Sequence, residues 1–406
     1  MRGWNIWSVV VSAALLQSAC STRSGAAGSE AEVSTATDAE NEGVAEIAIG
    51  DGVPGASDGM DGPDTEAMDA DSPPDSDTPT VIAEDSRTDG PADVKPVDSA
   101  DAIESGVQDT PADAGVSGKP PRVQVVLFTH IEDQTPGGEL GKPQSKLSYG
   151  KIRAALIAVA LLAQQDGVPW VLQPDWKILE AALLYEDVAM MASTGGKNVF
   201  AYLRDDLGVF VDPHSHENGG YNYTDVAYLL EQLGVGGSKV IGGHIWDPSL
   251  PQFQHWERFR NPVSGQMYPD AVWQGNLLIG SGTPNHVNDP LVSGVWRPSD
   301  PDAYFTDDPT GNIVAVGQWH NGVPGVQELT ERYMDGTVPW THMLTASWNV
   351  TPAQITAVDG PATIETSIFL PLKAMEEAGK IRLTDFTTLV ELWQTQFGGE
   401  AYLYEP

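Results

Sequence analysis

The chain has almost no cysteine: Cys20 is the only one in 406 residues, so no intramolecular disulfide can staple it. Basic residues are scarce as well, 21 Lys and Arg against 57 Asp and Glu, for a formal net charge of −36. A nucleic-acid backbone is bound through clustered Lys and Arg, and such an acidic chain excludes that class of partner. Aromatics are absent from residues 21–120, which hold 24 acids against 4 bases. A segment this charged and this poor in large apolar side chains cannot bury enough surface to offset its chain entropy. Only the part of the chain after residue 120 can build a core.

What is present at the start is a short basic and apolar segment. Arg2 precedes the run Ile6–Leu16, and small residues lead to Ser18-Ala19-Cys20. The stretch is too short for a membrane-spanning helix and fits a secretory signal peptide over residues 1–19. Ser18-Ala19-Cys20 resembles the lipobox of bacterial lipoproteins, which implies a lipidated Cys20 and anchoring to a membrane of the cell envelope. Residues 20–120 then read as a disordered, self-repelling acidic linker.

From Pro120-Pro121 onward the pattern alternates between apolar strands and helices. Strands are expected at 123–128, 169–173, 209–211 and 239–244, and helices at 152–162, 176–192, 197–206 and 225–233. Residues 245–340 are richer in Gly, Pro, Asn and Trp and read as long loops with strands near 271–280 and 312–319. Helices return at 369–379 and 385–397. Continuous apolar strands separated by helices signal parallel strands covered on both faces. The expected fold is α/β, a distorted (β/α) barrel of about seven parallel strands over residues 121–406.

Polar residues collect where the expected strands end. The first is followed by His130, Glu132 and Asp133, the third by Asp212, His214, His216 and Glu217, and the fourth by His244 and Asp247. In a parallel barrel all carboxyl ends open on one face, so these groups should converge. Alternating residues on a strand share a face, which makes His214 and His216 a ligand pair. Imidazoles with a carboxylate suit a catalytic divalent metal, zinc above all.

These motifs, in this order, resemble the NodB-homology polysaccharide deacetylases, metal-dependent carbohydrate esterases on a distorted barrel. The resemblance implies that Glu132 is the general base and Asp133 a metal ligand, with further ligands among His214, His216 and Asp212. It implies that Arg297, in Trp296-Arg297-Pro298, steadies the base. His342, in Trp340-Thr341-His342, would be the general acid. The substrate would be an acetylated glycan in a cleft lined by some of Trp170, Trp176, Trp246, Trp273, Trp296, Trp319 and Trp348. Two other readings stand beside it. One is a glycosidase of the same superfamily using Asp212 or Asp247. The other is a non-catalytic surface lipoprotein that binds glycan or metal.

The lipobox has a direct test. Labelled palmitate fed to cells producing the full chain should enter the wild-type protein and not the Cys20→Ser variant; equal labelling of both would refute lipidation at this residue.

Overall fold

The strands of the barrel follow from runs of buried apolar residues, of which the first is the longest. In the computed structural model, which describes residues 118–244, 255–279, 291–319 and 322–405, β1 (Val123–Ile131) is buried at all nine positions. Strands β2 (Val171–Pro174), β3 (Phe210–Val211) and β4 (Val240–Ile241) follow. Then come β5 (Val263–Ser264), β6 (Val272–Trp273), β7 (Leu277–Ile279) and β8 (Ser293–Trp296). The last four are β9 (Val314–Val316), β10 (Thr345–Asn349), β11 (Ile381–Thr384) and β12 (Tyr402–Tyr404). The expected signal segment, Cys20, the acidic linker up to residue 117, Trp246 and Asp247 lie outside the described residues.

Strand order makes a barrel from two half-sheets. In the first, β10, β1, β2 and β3 pair in parallel, and β11 pairs with the amino half of β1. In the second, β4, β7 and β9 pair in parallel. A parallel bridge between His214 and Gly242 joins the halves just beyond β3 and β4. On the other side, the Ser347 N–H of β10 donates to the Trp319 carbonyl beyond β9 at 3.1 Å. The parallel ring therefore runs β10, β1, β2, β3, β4, β7, β9, seven strands as expected in number, although β10 was not among the strands expected from the sequence. Four of the described strands break the expected parallel pattern: β8 runs antiparallel to β9, β12 antiparallel to β8, and β5 and β6 form an antiparallel pair of their own.

The longest helix, Pro143–Asp166, starts on a proline at its first turn and stops at Gly167, whose φ of 64° places it in the left-handed region that ends helices. By length and apolarity it would suit a membrane span. One face, however, packs Tyr149, Ile152, Leu156, Val159 and Ala163 into the core. On that face the buried Arg153 pairs with Glu186 at 2.8 Å, and Glu186 also accepts from the Tyr149 hydroxyl at 2.7 Å. The single helix expected over 176–192 is two, Trp176–Tyr185 and Val188–Met191, because Asp187 caps a fresh amino end through the Met190 N–H. The stretch expected to be only loops and strands holds a helix at Gly322–Met334; two glycines and Pro324 in its first turn hide it from a propensity reading.

One buried carboxylate ties a helix to a distant turn. Asp225 opens the helix Tyr223–Gln232 in a capping box with Asn222. Its two oxygens also accept the backbone N–H groups of Gln266, Met267 and Tyr268 at 2.9–3.1 Å. Asp225→Ala removes the acceptor of these part-buried donors, and because Gln266 and Met267 are exposed, water can replace some of what is lost. We expect a loss of about 1–3 kcal/mol of stability, read as a lowered midpoint in urea unfolding followed by circular dichroism.

Candidate metal centre at the carboxyl rim

The parallel strands deliver their polar ends to one rim. His130 is the penultimate residue of β1 and Glu132 follows its last, so the two share a strand face. His214 is the residue in the bridge between the half-sheets, and its N–H donates to the Pro174 carbonyl of β2. Its ring presses on the backbone of the facing segment: a Cβ at Gly243, where φ is 76°, would come within 2.2 Å of the His214 ring. Only glycine leaves room for the imidazole at that position.

Within this rim, one ligand atom each from His130, Glu132 and His214 lie within 4.8 Å of one another. The Glu132 Oε2 stands 3.3 Å from the Nε2 of His214 and 3.0 Å from the Nε2 of His216. The rings of His130 and His214 are 4.2 Å apart, and those of His214 and His216 4.8 Å. His130 Nε2 and His214 Nδ1 are buried with no hydrogen-bond partner. Asp133, adjacent to Glu132, is not in the three-residue group, although its charge acts on both His214 and His216.

The charges at the rim are sorted by burial and by Glu132. Burial drives the His130 imidazole well below its ordinary value, and the neighbouring histidines push the same way. Burial also lowers His214, against the pull of Glu132. For His216 burial is outweighed by the hydrogen bond and charge of Glu132, with Asp175 and Asp133 adding to it, and its pKa rises. Glu132 is raised by burial, but the hydrogen bonds from His214 and His216 prevail and hold it well below the usual carboxylate range. Two neutral imidazoles beside an ionised carboxylate are what a divalent cation requires of its ligands. The ligand atoms of His130, Glu132 and His214, within 4.8 Å of one another, mark where such an ion fits.

The remaining expected residues fall into three places. His244 lies near the rim beyond β4, with its Nε2 buried and unpartnered; burial, Arg258 and His216 lower it to about 3. Glu217, in the left-handed region at φ 57°, forms an ion pair with Arg258. Asp212 is buried beyond β3, where burial raises it to about 6 against a 2.6 Å hydrogen bond from Ser238, and the Asp385 carboxylate adds to the rise. Arg297 and His342 are at the other end of the barrel. Because β8 is antiparallel, with Trp296 level with Ala315, the chain leaves it at the amino end of the parallel strands. There Arg297 makes a bidentate pair with Asp307, at 3.1 and 2.7 Å, and stacks over Trp393. His342 lies three residues before β10, whose first residue is level with Gln124 at the start of β1; its ring stacks on Tyr402 at 4.4 Å. Neither reaches Glu132, so the expected roles of Arg297 and His342 are corrected.

One rim residue was not among those expected from the sequence. Asp175 follows the last residue of β2, and its N–H donates to the Ile131 carbonyl at 2.9 Å, between His130 and Glu132. It is fully buried, and burial pushes its carboxyl up to about 7 against a hydrogen bond from the Trp176 N–H and the field of His216. The signal that could have found it is the one that found the others, an acid directly after a strand.

No family model and no curated protein matches the chain. Among solved structures it is similar to Puue allantoinase, with 11% identity and a TM-score of 0.36 over 70% of this chain and 98% of that one. A protein of Pseudomonas aeruginosa PAO1 described as a polysaccharide deacetylase gives 12% and 0.37 over 70% and 98%. Another so described, from Mycobacterium smegmatis, gives 10% and 0.34 over 73% and 99%. At such values the chemistry of the rim rests on its own side chains.

The placement of Arg297 and His342 has a consequence. Arg297→Ala should lower the melting temperature by removing a bidentate ion pair, and His342→Ala should be mild. Both variants should bind Zn²⁺ like the wild type in a calorimetric titration; loss of binding in either would contradict the two-rim geometry.

Proposed function

We propose that the barrel is a metal-dependent hydrolase whose ion is held by His130, Glu132 and His214. The observation that carries this reading is the convergence of two buried imidazoles and a carboxylate at the carboxyl rim, with one ligand atom of each within 4.8 Å of the others. A divalent cation there, zinc by the donor set, would supply Lewis-acid polarisation of an acyl oxygen and acidify a bound water. Glu132, held ionised by its two histidines, serves as a ligand better than as a general base, since a base works best with a pKa near the working pH. His216, with 20% of its side chain exposed, and the half-buried Asp133 stand on the open side, where a substrate proton can be exchanged.

The substrate class we propose is an acetylated carbohydrate, losing acetate from an N- or O-acetyl group. The motifs at the rim, Glu132-Asp133 and His214-Ser215-His216, which resemble those of the polysaccharide deacetylases, support it. So does the half-buried Trp348 at the carboxyl end of β10, together with the stacked pair Trp176 and Tyr221 next to Asp175, 4.4 Å between rings. The segment Ser18-Ala19-Cys20 supports an exported protein held at the cell envelope by a lipid anchor.

Zinc content and acetate release test the reading together. Wild-type protein loaded with Zn²⁺ should retain the metal through gel filtration and release acetate from acetylated glycans. His214→Ala and Glu132→Gln should each lower both by about 100-fold or more, with folding preserved by circular dichroism. Cleavage of the glycan chain without acetate would favour a glycosidase instead, and full activity in metal-free protein would end the proposal.

A further inference from the structure

A cavity lies apart from the rim, between the helix Tyr223–Gln232 and the turn joining β5 to β6. Its volume is about 510 Å³, within the roughly 300–1,000 Å³ of small-molecule sites, and none of the rim residues lines it. Its two walls are pinned to each other. Thr224 Oγ1 donates to the Val263 carbonyl at 2.8 Å and Asn222 Nδ2 to the Ser264 carbonyl at 2.9 Å. Asp225 adds its hold on the N–H groups of Gln266, Met267 and Tyr268. The cavity is therefore formed before any ligand arrives.

Two tyrosines, two carboxylates and Met267 shape its lining. The rings of Tyr228 and Tyr268, both half-buried, are 4.6 Å apart and tilted by 39°. Tyr268 is fixed by its hydroxyl, which donates to Glu180 at 2.7 Å. Glu231 and Asp270 are exposed at the cavity, and no ion pair neutralises either among the described residues. Among those residues no Lys, Arg or His lines it. Trp273, also in the lining, carries the Lys239 ammonium 6.0 Å from its ring centre, which leaves the two tyrosines for a ligand. Such a lining selects a cation with an apolar body, since ring faces and ionised carboxylates both attract positive charge.

We propose that this cavity binds an ammonium-bearing sugar, the amino sugar unit that loss of an N-acetyl group exposes. Hydrolysis of that group adds one water across the amide C–N bond and gives acetate and a primary amine. The amine takes up a proton below about pH 8. The tyrosine rings then meet the apolar face of the sugar, and Glu231 and Asp270 meet its charge. A unit that keeps its acetyl group is neutral and gains no such attraction. A glycan already deacetylated at some units is thereby retained on the protein, apart from the reacting ion. The inference rests on the acetate-releasing reading above for the origin of the amine.

Calorimetric titration of the full chain at about pH 6 compares a glucosamine tetramer with its N-acetylated counterpart and with choline. The free-amine tetramer should bind, and the acetylated one at least about fivefold more weakly. The double variant Glu231→Gln/Asp270→Asn, which alters only exposed side chains, should weaken the free-amine tetramer about 5–20-fold. Tyr228→Ala should weaken it about 3–10-fold. Treatment with a chelator should leave binding unchanged, and added salt should reduce it. Equal affinity for the two tetramers, or a double variant that binds like the wild type, would overturn the proposal. So would a wild type that binds no free-amine tetramer, or one that binds choline more tightly. Absent acetate release with tetramer binding intact would end the hydrolase reading instead and leave the cavity assigned to an amino sugar.

Discussion

The rim depends on one backbone bridge. His214 and Gly242 join the two half-sheets, with the Gly242 N–H donating to Pro213 at 3.1 Å and the Ser215 N–H to Gly242 at 3.3 Å. The same residue that closes the barrel wall carries the imidazole that meets Glu132. Barrel closure and site assembly are therefore one event, and the fit is close enough that Gly243 can carry no side chain beside the ring. A site built on strand ends in this way inherits the rigidity of the sheet.

Charge distribution within the rim follows from depth. His130 and His214 sit where water is excluded, and burial favours their neutral form, the form in which an imidazole can bind a cation. His216 is nearer the solvent and faces three carboxylates, Glu132, Asp175 and Asp133, so its charge is favoured. Similar imidazoles within 5 Å of one another are thereby given different protonation, and a cluster that would repel if all were charged becomes compatible with an ionised Glu132.

Much of the fold was legible from periodicity. The runs at 123–128, 169–173, 209–211 and 239–244 are strands that pair in parallel; of the helices between them, those at 199–205 and 223–232 lie within a few residues of expectation, the first begins nine residues before the expected 152, and the one expected over 176–192 is two. The helix Gly322–Met334 was not legible, because its opening glycines and proline carry the signature of a loop while Val326, Leu329, Thr330 and Tyr333 supply the buried face that stabilises it. The rim residues were legible as a set, since acids and histidines directly after apolar strands are a local pattern. Asp175 shares that pattern but stands alone at its strand end.

By itself the sequence determined that a parallel α/β unit follows an acidic, aromatic-free stretch, and that histidines and carboxylates cap its strands; composition and period 2 or 3.6 patterns are local properties, readable without contacts. Strand direction is not local. Ser293–Trp296 has the apolar character of its neighbours, yet it pairs antiparallel with β9, and this reversal carries Arg297 to Asp307 at the far rim. His342 is separated from the metal group because it precedes its strand instead of following it. Which residues share a rim depends on hydrogen-bond partners chosen across more than a hundred positions of chain, and only the folded barrel makes that choice.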